Sequence, residues 1–275
     1  MTLLRWFITG ASAGFGRVLT ETLLARGDAV VATARDPRTL ADLVEKYPDS
    51  ALALPLDVTD GAQVREAVEH ALAAGPIDVL VNNAGRGLVG ALEELSDQQI
   101  HDVLAVNLMG ALAVTRAVLP HMRARRSGHI VVLSSVGGVI GNPGHAIYAT
   151  TKFALEGASE ALAGEVAPFG IRVTIVEPGP FRTEFLGRSM QHATPLPAYE
   201  DGPAGALRRR TASGHGQQPG DPVGAVEAII DVVRAPSAPL RLPLGRIAVE
   251  RIRAKLQGQL ADLEACEEAA IAADR

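Results

Sequence analysis

The chain has a single cysteine, Cys266, in 275 residues, so it can form no intramolecular disulfide, and a reducing compartment fits it. It has no surplus of positive charge. The formal net charge of -5 at pH 7 gives no reason to expect a nucleic-acid partner. Two basic runs, RARR at Arg123–Arg126 and RRR at Arg208–Arg210, are local and read as solvated surface. The first falls where a helix should end, and the helix dipole favours cations there. No apolar run approaches the roughly 18 residues of a membrane span. The opening MTLLRWFITG is too short and wrongly flanked for a signal peptide. No repeat, low-complexity tract or linker divides the chain before about Leu186, and no metal site is expected. These absences lead to the expectation of a cytoplasmic protein with neither a membrane nor a nucleic-acid partner.

What is there is enough for a large core, since 47% of the residues are hydrophobic and 21% charged. Short apolar runs recur: LRWFITG, DAVVATAR, ALALPLDV, IDVLVNNAG, GHIVVLSSV and IRVTIVEPG. They are nearly continuous rather than alternating, as strands covered on both faces must be. Between them lie stretches with helical spacing, among them GRVLTETLLARG, DGAQVREAVEHALAAG and IHDVLAVNLMGALAVTRAVLPHMRARR. Strand and helix in regular alternation predict a doubly wound α/β fold: a parallel sheet, three layers, one Rossmann-type domain over 1–275.

After Leu186 the character changes. Residues 186–220 are rich in Gly, Pro and polar side chains with weak periodicity, and read as a long loop over the substrate. DPVGAVEAIIDVVRAP reads as a helix with Asp221 as N-cap and Pro222 in its first turn. PLRLPLG is a plausible last strand. From 246 to 275, Ile252, Leu256, Leu260 and Leu263 recur at helical spacing and predict an amphipathic tail helix.

Two stretches carry chemistry. The first strand runs into TGASAGFG, with glycines at 10, 14 and 16, where a tight turn opens a helix. Such a turn lets backbone approach a pyrophosphate at a helix N-terminus whose free N–H groups attract anions. In YATTK, Tyr148 and Lys152 lie four apart and share one helix face. The pair alone proves nothing. A nearby cation would favour the phenolate and bring an ordinary phenol, with a pKa near about 10, closer to working pH.

TGASAGFG, LDV at 56–58, NNAG at 82–85, the serines at 134 and 135, YATTK, and EPGPFRTEF at 177–185 occur in the order seen in the short-chain dehydrogenase/reductase family. The chain resembles that family from residue 4 to about 186, and more loosely beyond. The resemblance implies an oxidoreductase that interconverts a carbonyl and a secondary alcohol. Tyr148 would be the general acid/base, Ser135 would hold the substrate oxygen, and Lys152 would tune Tyr148 and hold the nicotinamide ribose. Asn107 would place a relay water, although an asparagine inside an apolar helix can simply bond a neighbouring carbonyl. Ser135 precedes Tyr148 by 13 residues, the family's separation. Ser134 is the alternative, and adjacent strand residues face opposite ways, so only one can enter the site.

For the cofactor, the resemblance implies Gly10, Ser12, Gly14, Phe15 and Gly16 at the phosphates. Asp57 and Val58 would lie at the adenine, and Asn83, Ala84 and Gly85 at the adenosine side of the sheet edge. Pro178, Gly179, Phe181 and Thr183 would surround the nicotinamide, with Tyr148 and Lys152 at its ribose. Asp57 could equally cap a turn. In NAD-preferring members an acid ends the second strand, where this chain has Ala34, and Arg35 follows it. Guanidinium suits phosphate, so NADP(H) is favoured over NAD(H), with Asp36 read as the cap of a helix begun by Pro37. Ala13, where many NADP users carry a base, argues the other way, as does Asp36 if the strand ends one or two residues later and lets it reach the ribose.

The substrate is expected to be a fairly apolar small carbonyl or alcohol, between 87–92, 136–145 and 186–219, with Phe185, Leu186, Met190, Leu196 and Tyr199 as its wall. His145 and His192 could tune the pocket, although surface is the plainer reading of each. EPGPFRT weakly resembles the hydroxysteroid and retinol-type branch. The resemblance also implies a homodimer or homotetramer paired through the helices of Asn107 and Tyr148, where Ala149, Gly157, Ala161 and Gly164 allow close approach. The rival readings are a catalytically silent dinucleotide-binding regulator, an NAD-dependent alcohol dehydrogenase of the same fold, and an epimerase or dehydratase sharing YxxxK.

Overall fold

The computed structural model describes residues 3–274. Its nine strands are β1 (Arg5–Ile8), β2 (Ala29–Ala34), β3 (Ala51–Pro55), β4 (Val79–Asn82), β5 (Gly87–Val89), β6 (Gly128–Leu133), β7 (Ile171–Pro178), β8 (Met190–His192) and β9 (Arg241–Leu244). Seven of them form one sheet in the order β3-β2-β1-β4-β6-β7-β9, and every pairing in it is parallel. The order reverses direction between β1 and β4, the switch point where open α/β sheets hold ligands at their strand C-terminal edge.

The helices are α1 (Gly14–Ala25), α2 (Ala41–Lys46), α3 (Gly61–Ala73), α4 (Asp97–Leu104), α5 (Ala111–Arg125), α6 (Ala146–Val166), α7 (Pro197–Glu200), α8 (Pro203–Ser213), α9 (Pro222–Arg234) and α10 (Arg246–Ala272). The strand period of two splits the core. Trp6 and Ile8 of β1 pack with α1 and α9 on one face, and Phe7 packs with α3, α5 and α6 on the other. Asp221 caps α9 by accepting from Val223 N at 3.2 Å, and Asp36 caps the turn begun by Pro37, both as the sequence indicates.

Three expectations change. Residues 186–220 are not an irregular loop: they form β8, α7 and α8. Pro197 and Pro203 each stand in a first helical turn, where a missing N–H costs nothing. β8 pairs with β5 in a second, two-stranded parallel sheet. The segment Asp97–Arg125, joined through a π-helical turn at Ala105–Gly110, is long and apolar enough to cross a membrane, contrary to the sequence expectation. Its Val103, Val114, Val118 and Met122 are nonetheless fully buried in the protein's own core. In α10, Ile252 is buried, whereas Leu256, Leu260 and Leu263 of the expected apolar face are exposed.

Candidate active site

The C-terminal edge of the sheet opens into one cleft of about 1400 Å³, and most of the residues singled out in the sequence line it. The glycine turn is built by backbone constraint. Gly10 and Gly14 take positive φ of 67° and 55°, the region that favours glycine. A Cβ on Gly16 would stand 2.5 Å from both Gly10 O and Asn83 Nδ2. Asn83 locks the turn from behind: its Nδ2 donates to Thr9 O at 2.8 Å and to Gly10 O at 3.0 Å, and its N–H donates to Thr9 Oγ1 at 2.9 Å. Ala84 N–H donates to the same hydroxyl at 3.0 Å. Thr9 therefore organises this edge, and only its place in the TG pair marked it.

Ala13, at the N-cap of α1, has no side-chain cap, so no capping side chain takes the first N–H groups of α1. The bare turn fits a diphosphate. Phe15 and Phe181 meet edge to face at 5.3 Å, and the Thr183 Cβ lies 3.6 Å from where a Cβ of Gly14 would be. These contacts join the turn to the Pro178–Gly179 wall, whose Gly179 N–H is held by Leu244 O at 3.0 Å. Gly85, Ser12 and Val58 also line the cleft. Arg188, missed in the sequence, donates from Nη2 to Ser12 O at 3.1 Å and so ties the segment before β8 to the glycine turn.

Arg35 is exposed on the same wall and forms no ion pair among the described residues. Asp36 is occupied elsewhere, accepting from Arg38 Nε at 2.9 Å and Nη2 at 2.8 Å. Asp57 does the capping work foreseen as its alternative: Oδ1 accepts from Thr59 N at 2.9 Å and Thr59 Oγ1 at 2.7 Å.

Tyr148 is buried on α6, its ring between His145 at 5.5 Å and Phe185 at 5.7 Å. Ser135, extended just after β6, is the serine that bonds it; Ser134 faces the Glu156 carboxyl instead. Burial pushes the Tyr148 phenol up to about 12, and the Ser135 bond only partly offsets this. The expected lowering by Lys152 is absent from this arrangement. Lys152 Nζ donates to Leu133 O at 2.7 Å and lies 5.8 Å from the Tyr148 ring centroid. Burial, opposed by the Glu156 charge, brings Lys152 down to about 8. The phenol is thus held protonated.

Asn107 lies in the π turn, a distortion often found at functional sites. Its Oδ1 accepts from Arg86 N at 2.8 Å, while Nδ2 donates to Arg86 O at 2.8 Å and to Thr151 Oγ1 at 3.2 Å. It bonds neighbouring backbone, and none of these bonds reaches Lys152 directly.

The substrate side departs furthest from expectation. Met190 is buried in a small cluster with Val89 and Leu207, and residues 87–92 do not line the cleft. Leu196 is exposed outside the cleft, and Tyr199 gives its hydroxyl to Glu93 Oε2 at 2.7 Å. His145 is not a surface residue: it lines the cleft, and burial with nearby Arg210 lowers it to about 4. Of the RRR run, Arg208 is not solvated surface either. Its Nη2 lies 2.6 Å from Glu94 Oε2, whose side chain is fully enclosed, and its Nη1 2.6 Å from Glu200. Burial opposes ionisation of Glu94, yet the Leu196 N–H, Arg208 and the Ala91 N–H hold its carboxyl below the ordinary range.

Residues 5–193 match the family model for short chain dehydrogenases, so the chain belongs to the short-chain dehydrogenase/reductase family and is an oxidoreductase of that class. It is 41% identical to oxidoreductase BOA17 of Botryotinia fuckeliana over 89% of this chain and 90% of that one. Against estradiol 17-beta-dehydrogenase 1 of Rattus norvegicus it is 36% identical over 88% and 76% of the two chains. The structure of a short-chain dehydrogenase from Streptomyces avermitilis superposes with a TM-score of 0.92 at 44% identity, covering 98% and 99%. A 3-ketoacyl-(acyl-carrier-protein) reductase from Brucella melitensis, in complex with NADH, gives 0.74 at 27%, covering 88% and 96%.

Proposed function

We propose that the chain is an NADP(H)-dependent dehydrogenase/reductase in which Tyr148 passes a proton to or from the oxygen of a carbonyl/alcohol pair. One observation carries the reading: a buried, protonated phenol bonded to Ser135 shares a cleft with an uncapped glycine turn. When bound, the nicotinamide nucleotide supplies or accepts the hydride. In the reducing direction the Tyr148 O–H donates to the carbonyl oxygen as that oxygen gains charge, and the Ser135 hydroxyl holds it. Lys152 holds the ribose side of the cleft and, once turned from Leu133 O, supplies the positive field that eases loss of the tyrosine proton. Asn107 fixes the Arg86 backbone and the start of α6.

Tyr148→Phe keeps the ring and removes the proton. With NADPH absorbance followed against a panel of ketones and aldehydes, turnover falls by about a thousandfold, within the range for loss of a general acid, while nucleotide affinity is kept. Nucleotide binding with no turnover on a broad panel would instead favour the silent regulator.

NADP(H) preference rests on free Arg35, on Ala34 at the strand end and on an Asp36 engaged with Arg38. Arg35→Ala should weaken NADPH binding about tenfold and leave NADH unchanged, the size of one charge-assisted contact. An equal effect on both nucleotides refutes the assignment.

For the substrate, Phe185, Leu186, Leu207 and Ile247 make an apolar wall, with Arg210 and Arg251 at the rim. That combination suits an apolar ketone with a polar or anionic outer end. If neutral ketones and their carboxylated analogues give the same KM, the rim plays no part. The rat relative's name, a steroid dehydrogenase, is consistent with the apolar body. Gly157, Ala161 and Gly164 are exposed on α6, beside Phe153, and support a homodimer across that helix.

A further inference from the structure

The tail helix stands apart from every other helix of the chain. At its base Ala248 and Ile252 are buried against the body, and Arg251 Nη2 donates to Asn142 Oδ1 at 2.6 Å. From Leu256 onward, every described residue is exposed. Leu256, Leu260 and Leu263 are 55%, 55% and 60% exposed, and Ile271 is 61% exposed. Spacings of four and three set the leucines on one face, the pattern of a helix–helix seam. A helix of this kind draws most of its stability from packing that face, and the body of the protein offers it no surface.

The charges point to what covers it. Residues 246–255 carry Arg246, Arg251, Arg253 and Lys255 against the single carboxylate of Glu250. Residues 256–261 carry no charge, and 262–272 carry Asp262, Glu264, Glu267 and Glu268 with no cation. This order runs against the helix dipole, which favours acids at the N-terminus and bases at the C-terminus. A helix standing alone is disfavoured at both ends.

We propose that α10 is a self-recognition element: two copies of the chain pair their tail helices antiparallel across the Leu256–Leu260–Leu263 face. With a two-fold axis near Leu260, Leu256 of one protomer meets Leu263 of the partner subunit. The cationic third of each helix then runs beside the acidic third of the other, and the two dipoles oppose. Both the exposed apolar face and the reversed charge order are accounted for at once. A parallel pair would set like charge against like. A lipid surface would meet four carboxylates along the last third of the helix, where anionic headgroups call for cations. The surface is distinct from the small-residue face of α6 and adds to any pairing made there.

The test is the particle mass of the full-length chain by light scattering and sedimentation. Leu260→Glu, at an exposed position far from the cleft, is expected to halve the mass, and Leu263→Glu to do the same. Arg253→Glu with Lys255→Glu puts like charges together and is expected to dissociate the pair at low salt. Adding Glu267→Lys and Glu268→Lys to that variant is expected to restore it, which only the antiparallel arrangement allows. An unchanged mass in both leucine variants, or no rescue by the fourfold swap, overturns the proposal. Flotation with anionic vesicles that Leu260→Glu abolishes, with the mass unaltered, also overturns it and assigns the face to lipid.

Discussion

The two walls of the cleft are held by different means. The wall from Thr9 to Ser135 is locked onto main chain: the glycine turn, the Asn83 side-chain amide on the Thr9 and Gly10 carbonyls, and parallel strands on either side. The wall from Phe181 to Gln218 is paired by main chain only at its ends, β8 on β5 and Gly220 on Phe181, and between them is held by side chains, through Arg208 on Glu94 and Glu200 and Tyr199 on Glu93. Backbone constraints leave little freedom at any one position, so the first wall suits a part of the reaction that never changes. Side-chain pairs can be exchanged without disturbing the chain path, so the second suits the part that sets specificity.

The sharpest way to break the first wall is Gly16→Ala. Its methyl has no room against Gly10 O and Asn83 Nδ2, so the turn must shift. We expect nucleotide affinity to fall by about a hundredfold or more, since backbone–phosphate contacts are lost together, as read by fluorescence titration. An alanine variant that binds nucleotide normally would show the turn to be adaptable after all.

Arg208→Ala tests the second wall. It leaves the enclosed Glu94 carboxylate without its cation, a change that costs about 3–5 kcal/mol in buried pairs. Part of this is recovered if the wall opens and water reaches Glu94. The comparison predicts a lower Tm and a raised substrate KM, with nucleotide Kd within about twofold, because the glycine turn does not depend on this pair. Equal damage to both affinities would mean that the two walls act as one.

The smallest effect lies where β7 meets β9. Burial first, then the neighbouring Glu156 charge, raises Glu177 to about 7 against the opposing pull of Arg241. A carboxyl whose folded pKa is raised binds its proton more tightly folded than unfolded. Its contribution to stability is present below pH 4.5 and is lost as pH rises toward 7. Glu177→Gln should therefore gain Tm relative to the parent between pH 5 and 8, by a few degrees at most for a domain of this size. His129 and His145, both lowered to about 4, bias stability the other way at acid pH but are common to both proteins and cancel. A Tm difference that does not change with pH would remove Glu177 from the account.

Much of the first wall was legible because its chemistry needs particular residue types at fixed spacing. Glycines 10, 14 and 16, the asparagine pair and the Tyr148–Lys152 pair are motifs of that kind: Gly10, Gly14, Asn83, Tyr148 and Lys152 line one cleft, while Gly16 packs behind the turn and Asn82 bonds Thr115. Strand positions were readable for a related reason, since doubly covered strands must be apolar throughout. What stayed hidden depends on contacts between distant positions. Nothing near Arg208 in sequence announces Glu94, which lies 114 residues earlier. Lys152 turns to Leu133 O because a strand end lies beside it in space. The π turn at Asn107 is a hydrogen-bond shift that leaves no mark in residue type.

Both feet of the segment over the cleft are fastened to the body. On one side β8 is paired to β5 as far as His192; on the other, Gly220 is bridged to Phe181, with Arg182 N–H on Gly220 O at 3.0 Å. The arc over 193–219 is thus a span between two fixed abutments. New arcs can therefore be exchanged onto the same abutments, altering what enters the chamber while the machinery beneath keeps its shape.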